Sequence, residues 1–166
     1  MGISTAVISA CNTVLGLGRM FGYEIISDSR FTGGIDTDID AKFRAALDAL
    51  QENDLVYIHI KAPDICSHDR RPTAKREFLE RFDLALDRLL QEEIVIALTA
   101  DHTTDSNTGV HTSDPVPSLF YSPDHGPGIL GVNFGEEACR NGTMERQTAS
   151  DFLQTALDAM GVIPHS

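Results

Sequence analysis

The sequence predicts an α/β fold, a three-layer sandwich in which a mostly parallel sheet carries helices on both faces. Three observations lead there. Short β-branched runs alternate along the chain with segments whose apolar residues recur at three- and four-residue steps, the pattern of strand–helix–strand units. Two strand-like runs, residues 54–60 and 93–99, are almost continuously apolar, as expected of strands covered on both faces. No internal repeat, low-complexity tract or long linker interrupts the 166 residues, and an apolar fraction of 42% suffices for one core. Residues 1–166 therefore read as a single domain.

In chain order, residues 5–10 form a first strand, 12–21 a helix and 24–27 a second strand. Asp36 or Thr37 then caps a helix whose buried stripe is Ile39, Phe43, Ala46, Leu47 and Leu50. Strand 54–60 is followed by a polar loop and the clearest helix, 73–92. That helix carries Phe78, Phe82, Leu86, Leu89 and Leu90 on one side, and charges including Asp83 and Asp87 on the other. Strand 93–99 leads into a polar loop over 101–117, a short strand at 118–121 and a Gly-rich irregular stretch over 123–146. Thr148 or Ser150 caps a last amphipathic helix that ends at Gly161. In parallel sheets, sites form beyond the carboxyl ends of the strands.

The net charge of −12 and pI near 4.7 argue against nucleic acid or an anionic membrane as partner. They leave anionic substrates open, because bound divalent ions reverse the local field. Cys11, Cys66 and Cys139 form no CxxC pair, which predicts reduced thiols and a cytoplasmic location. The apolar start has no basic leader, and Arg19 interrupts it short of the about 20 residues a spanning helix needs, so no targeting signal is read.

Two apolar strands run directly into potential metal ligands. Beyond Ile60 come Lys61, Asp64, His68 and Asp69; beyond Ala100 come Asp101 and His102, with His111 nine residues later. Carboxylate and imidazole together suit Zn²⁺ or Mn²⁺ better than Mg²⁺, which prefers oxygen ligands. Five such groups, Asp64, His68, Asp101, His102 and His111, suffice at neighbouring strand ends for one or two ions, and a pair of ions is the usual device for in-line phosphoryl transfer.

Residues 59–69, His-Ile-Lys-Ala-Pro-Asp-Ile-Cys-Ser-His-Asp, resemble the HxKxxDxxxHD segment of the archaeal-type, 2,3-bisphosphoglycerate-independent phosphoglycerate mutases. Residues 99–104 resemble their TADHST segment, and residues 111–117 their HSxDPVP segment. Thr32-Gly33 through Asp36-Thr37-Asp38, with Lys42, is similar to a further segment, TGxxDTD…K. The resemblance runs from about Ala6 to the C-terminus.

It implies the C-terminal half of an alkaline-phosphatase-like core. Asp64, His68 and His111 would hold one divalent ion, and Asp101 with His102 a second. The ions would be Mn²⁺ or Zn²⁺, or else Mg²⁺. Lys61 would contact phosphate or substrate, a small phosphorylated molecule of the phosphoglycerate type, in a glycolytic isomerase. The family places its nucleophilic Ser and a further Asp ligand in an N-terminal segment that has no counterpart before Thr5. The inserted substrate domain also has no counterpart. By this reading the chain is catalytically incomplete, holds one ion well, and pairs with a complementing N-terminal half or with another copy. Arg70 stands where the family usually has Gly, and Asp105-Ser106 where it has Pro-Cys. The alternatives are a phosphatase or phosphonopyruvate decarboxylase-like enzyme of the same superfamily, and an inactive metal-binding or structural domain.

Other features read as structure. The glycines of residues 16–22 serve close helix packing, and Cys66 is a small buried filler. Thr103, Thr104 and Ser106 read as turn and cap hydroxyls. His59, His125 and His165 match no ligand pattern, and the sequon at Asn141 is coincidental.

Overall fold

The computed structural model describes residues 2–125 and 133–161; His165 lies outside them. They divide into two compact units, residues 1–91 with 104–110, and residues 92–103 with 111–166.

The first unit is built on a parallel three-stranded sheet in the order β2-β1-β3, from β1 (Thr5–Ile8), β2 (Glu24–Ile26) and β3 (Leu55–Ile58). β1 is central and buried along its whole length, so alternate residues serve opposite faces. Val7 faces α1 (Asn12–Met20), which approaches closely because Gly18 has no side chain. A Cβ at Gly18 would stand 2.8 Å from Val7 Cγ1 and 3.0 Å from Ile25 Cδ1. Ile8 faces the other way, into a core with Phe31, Ala41 and Ala46 that Ile26, Val56 and Ile58 extend. Two of those residues lie on α2 (Ile39–Ala49), so helices cover both faces of this sheet, as the sequence predicts.

Asp38, one residue beyond the expected caps, starts α2 by accepting the Ala41 N–H at 2.8 Å. The helix α4 (Pro72–Leu90) packs on it, Phe43 meeting Phe82 edge-to-face at 5.5 Å between ring centroids. Phe78 and Leu89 are buried as expected, but Leu90 is exposed.

The expectation that β3 is covered on both faces is corrected. Tyr57 is 38% exposed and stacks instead on Tyr23, 6.2 Å away. The loop expected after β3 holds a seven-residue helix, α3 (Ala62–His68). It closes in a Schellman motif, the Arg70 N–H reaching the Ser67 carbonyl at 3.0 Å and the Arg71 N–H that of Cys66 at 2.8 Å. The left-handed position this motif requires is filled by Arg70, at φ 54°.

In the second unit, β4 (Ile96–Leu98) pairs with β7 (Leu119–Tyr121). The pairing is antiparallel and only three residues long, where a longer buried strand was expected. α5 (Glu136–Arg140) lies within the stretch expected to be irregular. α6 (Ala149–Ala159) begins in a capping box between Thr148 and Asp151, and Phe152 and Ala156 form its buried side. The polar segment 101–117 contains two short strands, β5 (Thr103–Asp105) and β6 (Val110–Thr112), paired with each other. Among the described residues no helix is long and apolar enough to cross a membrane.

The ring pair between α2 and α4 carries a measurable share of stability. Phe43→Ala should cost about 3–5 kcal/mol in urea unfolding, whereas Leu84→Ala, at a position 74% exposed, should stay within about 0.5 kcal/mol. Equal costs would contradict the assignment of this core.

Candidate metal centre

Asp64 and His68 ride on α3, which starts where β3 ends. Residues four apart on a helix lie one above the other, and His68 Nε2 stands 3.3 Å from Asp64 Oδ1. Pro63 in the first turn suits a helix that begins abruptly, since its missing N–H needs no partner there. Lys61, the residue before the helix, donates to Asp64 Oδ2 at 2.5 Å. Thr104 Oγ1 donates to Asp64 Oδ1 at 2.7 Å. Partial burial by itself would push this carboxyl up. The hydrogen bonds from Lys61 and Thr104, then the charges of Lys61 and His68, outweigh burial and hold it below its usual value.

His68 Nδ1 lies 2.9 Å from the carbonyl oxygen of Gly109. A carbonyl only accepts, so this contact is a hydrogen bond when Nδ1 carries the proton, the tautomer that leaves Nε2 with a lone pair for an ion shared with Asp64. A metal-ligating imidazole is typically held this way, with its second nitrogen bonded to a backbone carbonyl. Gly109 is required twice over. Its φ is +74°, and a Cβ there would come within 2.9 Å of the His68 carbonyl oxygen.

In the second unit, Asp101 Oδ1 accepts the His102 N–H at 3.1 Å, and Asp101 Oδ2 stands 3.4 Å from His102 Nε2. The Asp101 side chain is 76% exposed. The rings of His102 and His111 stack with centroids 3.8 Å apart. Thr103 Oγ1, on the strand that follows His102, donates to the Asp114 carbonyl at 3.2 Å.

Lys61, Asp64 and His68 thus come together in the first unit, and Asp101, His102 and His111 in the second. The sequence reading missed Thr104, taken there for a turn hydroxyl, and the Gly109 carbonyl. A signal for Thr104 was present, since it closes the segment that begins at Thr99 and contains Asp101 and His102. His59 serves structure, its Nδ1 3.0 Å from Ser9 Oγ and its carbonyl accepting Lys42 Nζ at 3.2 Å. Lys42 is only 1% exposed, and burial lowers its pKa.

A carboxyl held low in the folded chain contributes stability above its unfolded value and loses that contribution as pH falls through its folded value. In metal-free protein, carbon NMR should show Asp64 titrating below the ordinary aspartate range. Lys61→Met should move that titration upward, with the acid-unfolding limb following it. An unchanged titration would mean that Lys61 does not stabilise the Asp64 carboxylate.

The sequence matches the Metalloenzyme superfamily over residues 2–159. It is 37% identical over 148 residues to a 2,3-bisphosphoglycerate-independent phosphoglycerate mutase of Metallosphaera sedula, covering 87% of this chain and 36% of that protein. To the protein of the same name from Methanoculleus marisnigri it is 38% identical, covering 95% of this chain and 38% of the relative. The solved PH0037 protein of Pyrococcus horikoshii superposes on 99% of this chain with a TM-score of 0.87 and 30% identity, the match covering 51% of that chain. The chain therefore spans little more than a third of the length of these curated relatives, and half of the solved one. With an imidazole oriented by a backbone carbonyl beside a carboxylate at the end of a parallel strand, and a match over nearly its whole length, the chain belongs to the metalloenzyme superfamily.

Proposed function

We propose that this chain supplies the C-terminal, metal-holding half of an alkaline-phosphatase-like core in a 2,3-bisphosphoglycerate-independent phosphoglycerate mutase. The observation that carries the proposal is the pair Asp64 and His68, one helical turn apart, with the His68 ring oriented through Nδ1. The curated relatives that bear the mutase name supply the reaction class.

In this reading Asp64, His68 and His111, each able to offer one ligand atom, hold one divalent ion. Asp101 and His102 contribute to a second, whose remaining ligands lie outside these 166 residues. Mn²⁺ or Zn²⁺ fits a mixed carboxylate and imidazole set. Bound divalent ions neutralise charge on a transferring phosphoryl group and lower the pKa of a coordinated hydroxyl. Thr104 and Lys61 keep Asp64 ionised, and its carboxylate offsets the charge of an ion. Once Asp64 is engaged, the Lys61 ammonium is placed to meet an anionic oxygen of a phosphorylated substrate. The natural substrate is 3-phosphoglycerate, the setting cytoplasmic, and the working assembly contains the complementing half.

Metal content after dialysis without chelator tests the ligand set. Wild type should retain one tight ion, His68→Ala and His111→Ala should lose it, and Asp101→Ala should keep it. Equal stoichiometry in all four proteins would overturn the assignment. Mutase turnover, assayed with Mn²⁺ or Zn²⁺, should be absent for the chain alone and appear when the N-terminal segment of a relative is added. Rapid turnover by the chain alone would overturn the incomplete-site reading. Metal binding with hydrolysis of simple phosphate esters, and no mutase activity in the combined preparation, would make it a phosphatase.

A further inference from the structure

We infer that Arg70 is a positioning residue for His68, acting through the turn at residues 105–109. The inference rests on the reading of His68 as a metal ligand. Its starting point is that Arg70, a non-glycine residue at a left-handed φ of 54°, and Asp105-Ser106 meet at this turn.

Asp105 organises the turn. Its Oδ1 accepts from the Asn107 backbone at 2.8 Å and the Asn107 side chain at 3.0 Å. Its Oδ2 accepts from Thr108 Oγ1 at 2.9 Å, and its carbonyl from the Gly109 N–H at 2.7 Å. Ser106 ties the turn to the helices below. Its hydroxyl donates to Ser67 Oγ at 3.2 Å, which also accepts from Lys75 Nζ at 2.8 Å and itself donates to the Pro63 carbonyl at 3.0 Å.

Arg70 closes the arrangement from the other side. Its Nε donates to the Thr108 carbonyl at 3.2 Å, and its Cγ and Nε pass over Gly109, each 3.6 Å from where a Cβ would stand. The residue these contacts bracket is Gly109, whose carbonyl faces His68 Nδ1 at 2.9 Å and favours a proton there. The φ of 54° at Arg70 is one that side chains resist and glycine adopts freely. A strained backbone persists where its surroundings over-determine it. The side chain's hold on Thr108 gives a reason for arginine to stand in a glycine position.

The test separates this donor from charge and backbone. Gln carries an N–H where Arg has Nε, and Met has the length without a donor; neither relieves the left-handed strain. For wild type, Arg70→Met and Arg70→Gln, nitrogen NMR of metal-free protein would read the His68 tautomer. Competition calorimetry would read zinc affinity, and thermal unfolding would check the fold. Wild type and Arg70→Gln should keep the Nδ1–H tautomer with affinities within about twofold, while Arg70→Met mixes tautomers and binds zinc about tenfold more weakly. An Arg70→Met protein matching wild type in both readouts, or an Arg70→Gln protein falling as far as Arg70→Met, would overturn the inference. Should Arg70→Met not fold, Ser106→Ala opens the opposite side of the turn and is read in the same way. Wild-type protein that binds no zinc would refute the ligand reading, and the tautomer would still decide the role of Arg70.

Discussion

The candidate centre depends on one geometric constraint, a seven-residue helix hung directly on the end of a parallel strand that pairs with the buried β1. α3 begins within four residues of β3, so Asp64 in its first turn and His68 in its last inherit the rigidity of the sheet. Four-residue spacing makes the two side chains neighbours whatever lies around them. The strand end is itself braced. The His59 carbonyl takes the buried Lys42 ammonium, and the His59 ring meets Ser9 at the end of β1. Sites built on such supports hold their geometry better than sites on loops alone.

Electrostatics completes what geometry begins. A carboxylate beside an imidazole in a chain of net charge −12 would be a poor place for an anion without compensation. Lys61 and Thr104 keep Asp64 ionised, and a divalent ion is the natural neutralising partner for a carboxylate whose neighbour offers a lone pair. Removing the Thr104 hydroxyl would leave the Asp64 carboxylate less well satisfied, so a neighbour that only donates a hydrogen bond tunes this candidate ligand.

Much of this was legible in the sequence, and the part that was not has physical causes. β1, β2, α1 and α2 are marked by β-branched runs and by apolar residues at helical spacing, and Gly18 reads correctly as a packing glycine. α3 escaped because it is two turns long, carries a proline as its second residue and buries only the small residues Ala62, Cys66 and Ser67. β5 and β6 escaped because three-residue strands of threonine, aspartate and histidine show no alternation. The apolar run of β3 suggested two covered faces, but Tyr57 is 38% exposed and its ring stacks on Tyr23 rather than under a helix. At the candidate site the residue types were visible from their order after the strands. The backbone carbonyl of Gly109 was not, because a sequence does not announce which peptide group faces a histidine.

The central claim is that one ion is held by a carboxylate and two imidazoles, with no thiolate. X-ray absorption at the zinc edge, on protein loaded with one equivalent of Zn²⁺, tests it most directly. The account predicts two imidazole nitrogens and a carboxylate oxygen at about 2.0–2.2 Å. A sulfur shell at about 2.3 Å, which would bring in a cysteine such as Cys66, or a shell with no imidazole, would contradict it.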